Sequence, residues 1–247
     1  MARAGFGSYQ SYTRQRKRKI LLLRILRVLL TFYIAYLLID GLFFKTFLIQ
    51  TDSMNPNFQK EDRILTVPLF YEPRLPLIPW PLASFRAPIR GDVVVIQPPY
   101  VEDESPLVTF VKDLSRLVTF GYFTPFQDPD PSKHLTIRRL IAVPGDTVSL
   151  RGGIAYIKKS GDEFFLSEFE ISEKLYDVLK LSLPNGWESR DPFSGEQVEI
   201  TLKDDEYWVL ADNRLGEDSM VWGPVKRKNL KSFVWLTFWP FSRMKLQ

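Results

Sequence analysis

The sequence from residue 50 to residue 56 reads Gln50-Thr51-Asp52-Ser53-Met54-Asn55-Pro56, and it follows closely on a long apolar segment. If that segment crosses a membrane, the hydroxyl groups of Thr51 and Ser53 lie near the membrane surface. Alone, the stretch has two interpretations. It is either an exposed serine before a turn, since proline ends strands, or a reactive serine. The rest of the chain decides between them.

Cysteine and histidine usage excludes several kinds of site. The 247 residues include no cysteine, which rules out disulfides and thiolate metal sites. Because His134 is the single histidine, a Ser-His-Asp triad would depend on it, and a multi-histidine metal site is excluded. With 45% hydrophobic residues, the chain can form one sizeable core or two small ones.

The net charge of +4 hides a lopsided distribution. Eight basic residues lie within 1–27, and no acidic residue appears before Asp40. Taking these eight from the 33 basic residues leaves 25 against 29 acidic ones, so the rest of the chain is net negative. A nucleic-acid-binding protein carries positive charge on its folded part, so a nucleic-acid partner is not expected.

The segment Ile20–Ile39 is almost wholly apolar. As a helix it would be about 30 Å long, which matches the hydrocarbon core of a bilayer. Arg24 and Arg27 lie near its start, where long side chains can reach the interface. The basic residues before it place the N-terminus in the cytoplasm. The alternative is a cleavable signal peptide, but no small-x-small cleavage pattern follows, which favours an uncut anchor.

This pattern predicts three parts. They are a basic cytoplasmic tail (1–19), a transmembrane anchor (20–42) and an extracytoplasmic β domain of catalytic type (43–247). Within the last part, insertions are expected near 98–135 and 158–197.

Runs of β-branched and apolar residues predict that this domain is mostly β. Strands are expected at 46–50, 63–67, 93–97, 136–143, 198–202, 207–210 and 233–241, with a hairpin over 147–157. Apolar residues at helical spacing predict a helix over 105–119, and a charged segment at 168–180 is also predicted to be helical. The proline-rich aromatic stretch 68–88 either dips into the bilayer interface or lies against the core.

Four motifs follow one another along the chain. They are Asp52-Ser53-Met54-Asn55-Pro56, Arg90-Gly91-Asp92-Val93-Val94-Val95, Arg138-Arg139-Leu140-Ile141-Ala142-Val143-Pro144-Gly145-Asp146, and Asp212-Asn213-Arg214 with Asp218-Ser219 and Trp222-Gly223. Each motif alone is weak, but their order and spacing behind an apolar anchor are specific. Together they resemble the bacterial type I signal peptidases, from the anchor to the C-terminal aromatic strand.

The resemblance implies a membrane-anchored β domain outside the cytoplasmic membrane that cuts leader peptides from exported preproteins. The family uses a serine–lysine dyad, without a cofactor or metal. Ser53 matches the nucleophile, whose hydroxyl attacks only when a base takes its proton. The Ser53 backbone N–H and the Thr51 hydroxyl are candidate donors to the developing oxyanion. The implied partners are preproteins and the lipid bilayer.

Two motifs depart from the family pattern. The lysine base is the first residue of a Lys-Arg pair, and that position holds Arg138. Neutralising a lysine near pH 7 costs about 4.6 kcal/mol, whereas an arginine costs roughly 7.5–9 kcal/mol. In the last motif Ala211 replaces a usual glycine, Met220 replaces a usual arginine, and the turn before Asp218 is one residue shorter. The family serine that orients the lysine has no clear counterpart beside Gly216-Glu217.

Other residues of these motifs are expected to support the site without doing chemistry. By resemblance, Arg139 and Asp218 form a supporting ion pair. Turn and network roles fall to a further set: Asp92, Asp212, Asn213, Arg214 and Ser219. His134 is considered as a replacement base, but four residues of extended strand would separate it from Arg138 by about 13 Å. Lys133 is no better placed.

Three functions are compatible with these observations. The first is an active signal peptidase that deprotonates Ser53 in another way. The second is a membrane-anchored peptide-binding module of the same fold, without catalysis. The third, a cytoplasmic self-cleaving Ser–Lys repressor, is disfavoured by the anchor and by the lack of a DNA-binding headpiece.

Overall fold

The structure is a computed structural model that describes residues 6–75, 77–78, 80, 82–119, 135–172, 174–179 and 197–247. For residues 6–15, 37–38, 40–41 and 116–117 it describes the backbone alone. The chain divides into two units, Met1–Asp40 and Gly41–Gln247.

The first unit is helical. Helix α1 (Phe6–Leu38) covers the predicted apolar segment up to Leu38 and starts well before it, and a π-helical turn follows at Ile39–Phe43. Within the described part of the chain, no helix combines the length and the apolar character that crossing a membrane requires.

The regular secondary structure described in the second unit is mainly strand, which confirms the mostly β prediction. In chain order the strands are β1 (Lys45–Leu48), β2 (Arg63–Val67), β3 (Val93–Ile96), β4 (Thr136–Ala142), β5 (Thr147–Arg151), β6 (Ile154–Lys158), β7 (Leu166–Ser167), β8 (Gln197–Thr201), β9 (Glu206–Leu210), β10 (Val225–Lys226), β11 (Leu230–Trp239) and β12 (Lys245–Leu246). The helices of this unit are α2 (Pro106–Thr119), α3 (Glu168–Ile171) and α4 (Ser219–Trp222).

The strands form two sheets. The larger follows the order β1-β2-β11-β3-β4-β9-β10, with β12 also paired to β11, and the smaller follows β7-β6-β5-β8. All the pairings are antiparallel. Strand β11 is the longest and joins three partners, so it ties the middle of the larger sheet together.

Strand β3 shows why the larger sheet is covered on both faces. All four of its residues are buried, and successive side chains of a strand point to opposite faces. Val94 and Ile96 belong to one apolar cluster with Leu140 and Phe233, whereas Val93 and Val95 belong to another with Met54. A continuous run of β-branched residues is typical of a strand buried on both sides.

One helix prediction is confirmed and one is too long. Helix α2 matches the predicted 105–119. Among the described residues of the segment 168–180, helical structure is confined to α3: Ser167 and Glu170 form a capping box at its start, and the backbone is already extended at Ser172. The predicted insertions include residues 120–134 and 180–196, which lie outside the described residues.

Candidate active site

The turn that carries Ser53 is held by buried neighbours on its C-terminal side. The side chains of Met54 and Phe58 are fully buried, and the Phe58 N–H donates to the Met54 carbonyl at 2.9 Å. On the other side, the Asn213 N–H donates to the Ser53 carbonyl at 3.0 Å, and Asn213 Nδ2 donates to the Asp52 carbonyl at 3.2 Å. The turn is therefore fixed by the burial of Met54 and Phe58 and by the two hydrogen bonds from Asn213.

Three of the predicted site residues meet at the Ser53 hydroxyl. Ser53 Oγ lies 3.0 Å from Thr51 Oγ1 and 3.0 Å from Arg138 Nη1. Thr51 is exposed and Ser53 is half-buried, so the hydroxyl pair can be reached from solvent. Because a guanidinium has only donors, Arg138 donates to Ser53 Oγ in its charged form.

The guanidinium of Arg138 is held by uncharged acceptors. Its Nε donates to the Glu217 carbonyl at 2.7 Å, and Nη1 donates to Thr136 Oγ1 and to the Ile137 carbonyl, each at 2.6 Å. The guanidinium carbon lies 5.5 Å from the centre of the Trp222 ring, within the range of cation–π attraction. With a residue exposure of 4%, this charge is almost completely removed from water.

Burial changes the proton affinity of this arginine. Desolvation lowers the pKa of Arg138 to about 10, although the charges of Asp218, Glu217 and Asp212 act in the opposite direction. From a pKa of about 10, neutralising Arg138 near pH 7 costs about 4 kcal/mol. That is roughly half the cost expected for an exposed arginine, and close to the cost for an exposed lysine.

The predicted ion pair between Arg139 and Asp218 is wrong, because Arg139 binds Asp212 instead. Arg139 Nε donates to Asp212 Oδ1 at 2.8 Å and Nη2 donates to Oδ2 at 2.6 Å, and both side chains are buried. The register explains this choice: Arg139 on β4 lies opposite Leu210 on β9, and Asp212 follows two residues later. The Arg139 guanidinium also stacks 3.8 Å from the centre of the Tyr176 ring.

Asp218 is a helix cap. Its Oδ2 accepts from the Ala211 N–H at 3.0 Å and its Oδ1 from the Met220 N–H at 2.8 Å, the latter at the start of α4. Burial raises the pKa of Asp218, although these two hydrogen bonds and the charges of Arg214 and Arg138 act against it. Both oxygens are thus committed to backbone donors.

Ser219 and Arg214 hold neighbouring backbone. Ser219 Oγ accepts from the Val209 N–H at 3.0 Å. Arg214 donates to the carbonyls of Gly153 and Ala211 at 2.7 and 2.6 Å and forms an ion pair with Glu168 at 2.5 Å.

Asp92 belongs to a separate cluster of polar side chains. Its carboxylate accepts from Tyr71 Oη at 2.5 Å and from Arg86 at 3.2 Å. These residues support the site's surroundings, and none of the hydrogen bonds just described involves the Ser53 hydroxyl.

The shortened turn passes directly against Ser53. A Cβ atom added at Gly216 would lie 3.0 Å from Ser53 Cβ, which is tight, and 2.6 Å from Ala211 Cβ, which is closer than side-chain carbon atoms approach one another. The turn therefore leaves no room at Gly216 for an orienting serine. The carbonyl of the next residue, Glu217, makes a comparable contact by accepting from Arg138 Nε.

Several contacting residues were not predicted from the sequence. Thr136 lies two residues before Arg138 on β4, so strand alternation alone could have placed both on one face. Glu168 and Tyr176 come from a segment whose pattern indicates no defined contact, and Trp222 was noted as part of a motif without a role. His134 and Lys133 lie outside the described residues. Among the residues described, no group of three or more acidic or histidine side chains is arranged to hold a metal ion.

The family model and the similar proteins found by comparison are all described as signal peptidases. The family model for signal peptidase, peptidase S26, matches residues 22–239. The chain is 25% identical over 199 residues to a probable signal peptidase I-2 of Synechocystis sp., covering 80% of this chain and 64% of that protein. It is 28% identical over 111 residues to signal peptidase IB of Staphylococcus aureus, covering 44% of this chain and 56% of that protein. In both cases the match spans less than two thirds of the relative's length.

A crystal structure of a signal peptidase I from Enterococcus faecalis V583 aligns with 61% of this chain and 99% of that chain, at 19% identity and a TM-score of 0.32. The family model matches residues 22–239, a range that includes the Ser53 turn, Arg138 and the turn after Asp212. The predicted resemblance is confirmed, and the chain belongs to the signal peptidase family, peptidase S26.

Proposed function

We propose that this protein is a membrane-bound serine endopeptidase of the signal peptidase I type, which removes signal peptides from exported preproteins. The observation that carries the proposal is the meeting of Thr51 and Arg138 at Ser53 Oγ, each 3.0 Å away, within a chain of this family. In this proposal Ser53 is the nucleophile, Arg138 occupies the position of the base, and Thr51 helps to bind the oxyanion. Support comes from a wider set: Arg139, Asp212, Asn213, Arg214, Asp218 and Ser219.

The chemistry requires Arg138 in its neutral form. Neutral Nη1 takes the proton of Ser53 as Oγ forms a bond to the scissile carbonyl carbon, and the oxyanion is stabilised by Thr51 Oγ1. The C–N bond then breaks, and the leaving amine takes the proton from Arg138. Water hydrolyses the resulting ester, which frees Ser53 and releases the signal peptide with a new C-terminal carboxylate. No metal or cofactor takes part in these steps.

The proposal predicts cleavage after small residues. An extended peptide would be bound by strand addition, with alternate side chains entering shallow sites beside Ser53. Purified protein should cleave a preprotein bearing an Ala-x-Ala site at about pH 9, and Ser53→Ala should reduce cleavage to background. Preproteins with Leu or Phe at the first and third positions before the cut should be poor substrates. Equal cleavage of both kinds of substrate, or undiminished cleavage by Ser53→Ala, would exclude this function.

We further propose that the N-terminal segment anchors the chain in the cytoplasmic membrane, with residues 1–19 inside and the β domain outside. The support is the concentration of eight basic residues before residue 28 and the absence of acidic residues before Asp40. A reporter fused after Gln247 should be active outside the cytoplasm. A reporter active in the cytoplasm alone would reverse this topology.

One observation favours a second function. Charged Arg138 donates to Ser53 Oγ and so cannot accept its proton, which suits a peptide-binding module without catalysis. Failure of cleavage at every pH, with retained binding of Ala-x-Ala peptides, would support this alternative.

A further inference from the structure

Arg138 differs from the other buried arginines of the β domain in its partners. Arg139 and Arg214 each bind a buried carboxylate, at 2.6 and 2.5 Å. Arg138 is buried to a similar degree, yet within the described part of the chain its hydrogen bonds go to the hydroxyls of Ser53 and Thr136 and to backbone carbonyls. A buried charge that is not hydrogen-bonded to a carboxylate is compensated only in part, and an anion that approaches it recovers some of the desolvation cost.

The position from which an anion could approach is defined by Ser53. Arg138 Nη1 points to Ser53 Oγ, and the neighbouring Thr51 hydroxyl lies on the exposed side. A carboxylate placed there would accept from hydroxyls that can rotate to donate, and it would lie close to the guanidinium. Hydrogen bonds between charged partners are shorter and stronger than those between neutral groups.

We propose that Ser53, Thr51 and Arg138 form a binding site for the free C-terminal carboxylate of a peptide. Resting on the proposed function, the natural source of this carboxylate is the signal peptide itself. Hydrolysis of the Ser53 ester leaves the new carboxylate beside Ser53 Oγ, where charged Arg138 holds it. The cleaved signal peptide is then retained after the reaction, and its release becomes a slow step.

The test compares two peptides on the full-length protein in detergent near pH 7. Both end in Ala-x-Ala and carry an N-terminal fluorophore, but one has a free carboxylate and the other a C-terminal amide. Neither contains a bond to be cut after the last alanine. The acid should bind at least about tenfold more tightly than the amide. Equal affinities on the wild-type protein overturn the proposal.

Two variants locate the effect. In Arg138→Gln the ratio of the two affinities, acid over amide, should fall to nearly one. Arg151→Gln removes the same charge from an exposed position of β5 and should keep the full preference. An unchanged preference in Arg138→Gln would exclude Arg138 as the carboxylate partner. Should that variant fail to fold, the comparison of the two peptides on the wild-type protein still decides the proposal.

The outcome is separable from that of the cleavage experiment. Preference for the acid without any cleavage would leave the carboxylate site in place and remove its proposed source. Cleavage without preference would remove the carboxylate site and leave the peptidase proposal standing.

Discussion

Replacing Arg138 by lysine should raise the rate of preprotein cleavage near pH 7 by about tenfold or more, and by at most about a thousandfold. The upper limit follows from the pKa of Arg138, which burial lowers to about 10. At that pKa about one molecule in a thousand has a neutral Arg138 near pH 7. A lysine in the same apolar surroundings can have its pKa lowered by several units and would then be largely neutral.

The acceptors around position 138 limit the gain. The carbonyls of Glu217 and Ile137 and the Thr136 hydroxyl accept from the charged group at 2.6–2.7 Å. Hydrogen bonds to the charged form favour it, so they would keep the pKa of a lysine higher than burial alone would set it. The lysine side chain is also one bond shorter from Cα to its amine nitrogen than the arginine side chain is from Cα to Nη1. The lysine amine must therefore move to reach Ser53 Oγ.

The pH dependence of the rate distinguishes the roles of this position. Because the deprotonated base is the active form, wild-type cleavage should rise about tenfold per pH unit up to about pH 10. Arg138→Lys should level off at a lower pH, and Ser53→Ala/Arg138→Lys should be inactive. Wild-type cleavage that is already fast near pH 7, and that slows in Arg138→Lys, would show that the base lies elsewhere.

Replacing Arg139 by methionine should lower the free energy of unfolding by about 3–5 kcal/mol. The change leaves the carboxylate of Asp212 buried with the Asn57 amide, at 2.9 Å, as its remaining side-chain donor among the described residues. It also removes the cation that stacks on Tyr176. Chemical denaturation of the full chain in detergent, followed by tryptophan fluorescence, measures the difference.

A matched control separates this effect from general loss of charge. Lys228 and Asp103 form an ion pair whose side chains are 65% and 55% exposed, and Lys228→Met should cost less than about 1 kcal/mol. The double variant Arg139→Met/Asp212→Leu removes both charges and should recover most of the stability. If Arg139→Met is no more destabilising than Lys228→Met, the buried pair is not what stabilises this region.

Much of the fold was predictable because strands carry short-range signals. Val93–Ile96 and Arg63–Val67 show the β-branched or alternating patterns of strands, and both are strands in the structure. The helix at 168–180 was overpredicted because charged residues favour helices locally. That segment instead makes tertiary hydrogen bonds: the Leu179 N–H donates to the Asp212 carbonyl at 3.0 Å, and the Arg214 N–H donates to the Leu179 carbonyl at 3.3 Å.

The sequence predicted which residues form the site better than it predicted which of them bind one another. The meeting of Ser53, Thr51 and Arg138 was expected from the motifs. The partner of Arg139 was not, since Asp212 and Asp218 stand close together in sequence and differ by their place relative to the end of β9. That difference depends on strand register, which a motif does not contain. Contacts with Glu217 and Ile137 use backbone carbonyls, which every residue type supplies.

The contact between Ala211 and Gly216 restricts how this sequence can change. A Cβ at position 216 would lie 2.6 Å from the Ala211 methyl, so the two positions cannot both carry side chains in this backbone. The family pattern has a glycine at the position of Ala211 and a serine in the turn that here contains Gly216. A mutational path between the two arrangements must therefore pass through glycine at both positions, or lengthen the turn first. Positions 211 and 216 are in this sense one epistatic unit beside the nucleophile.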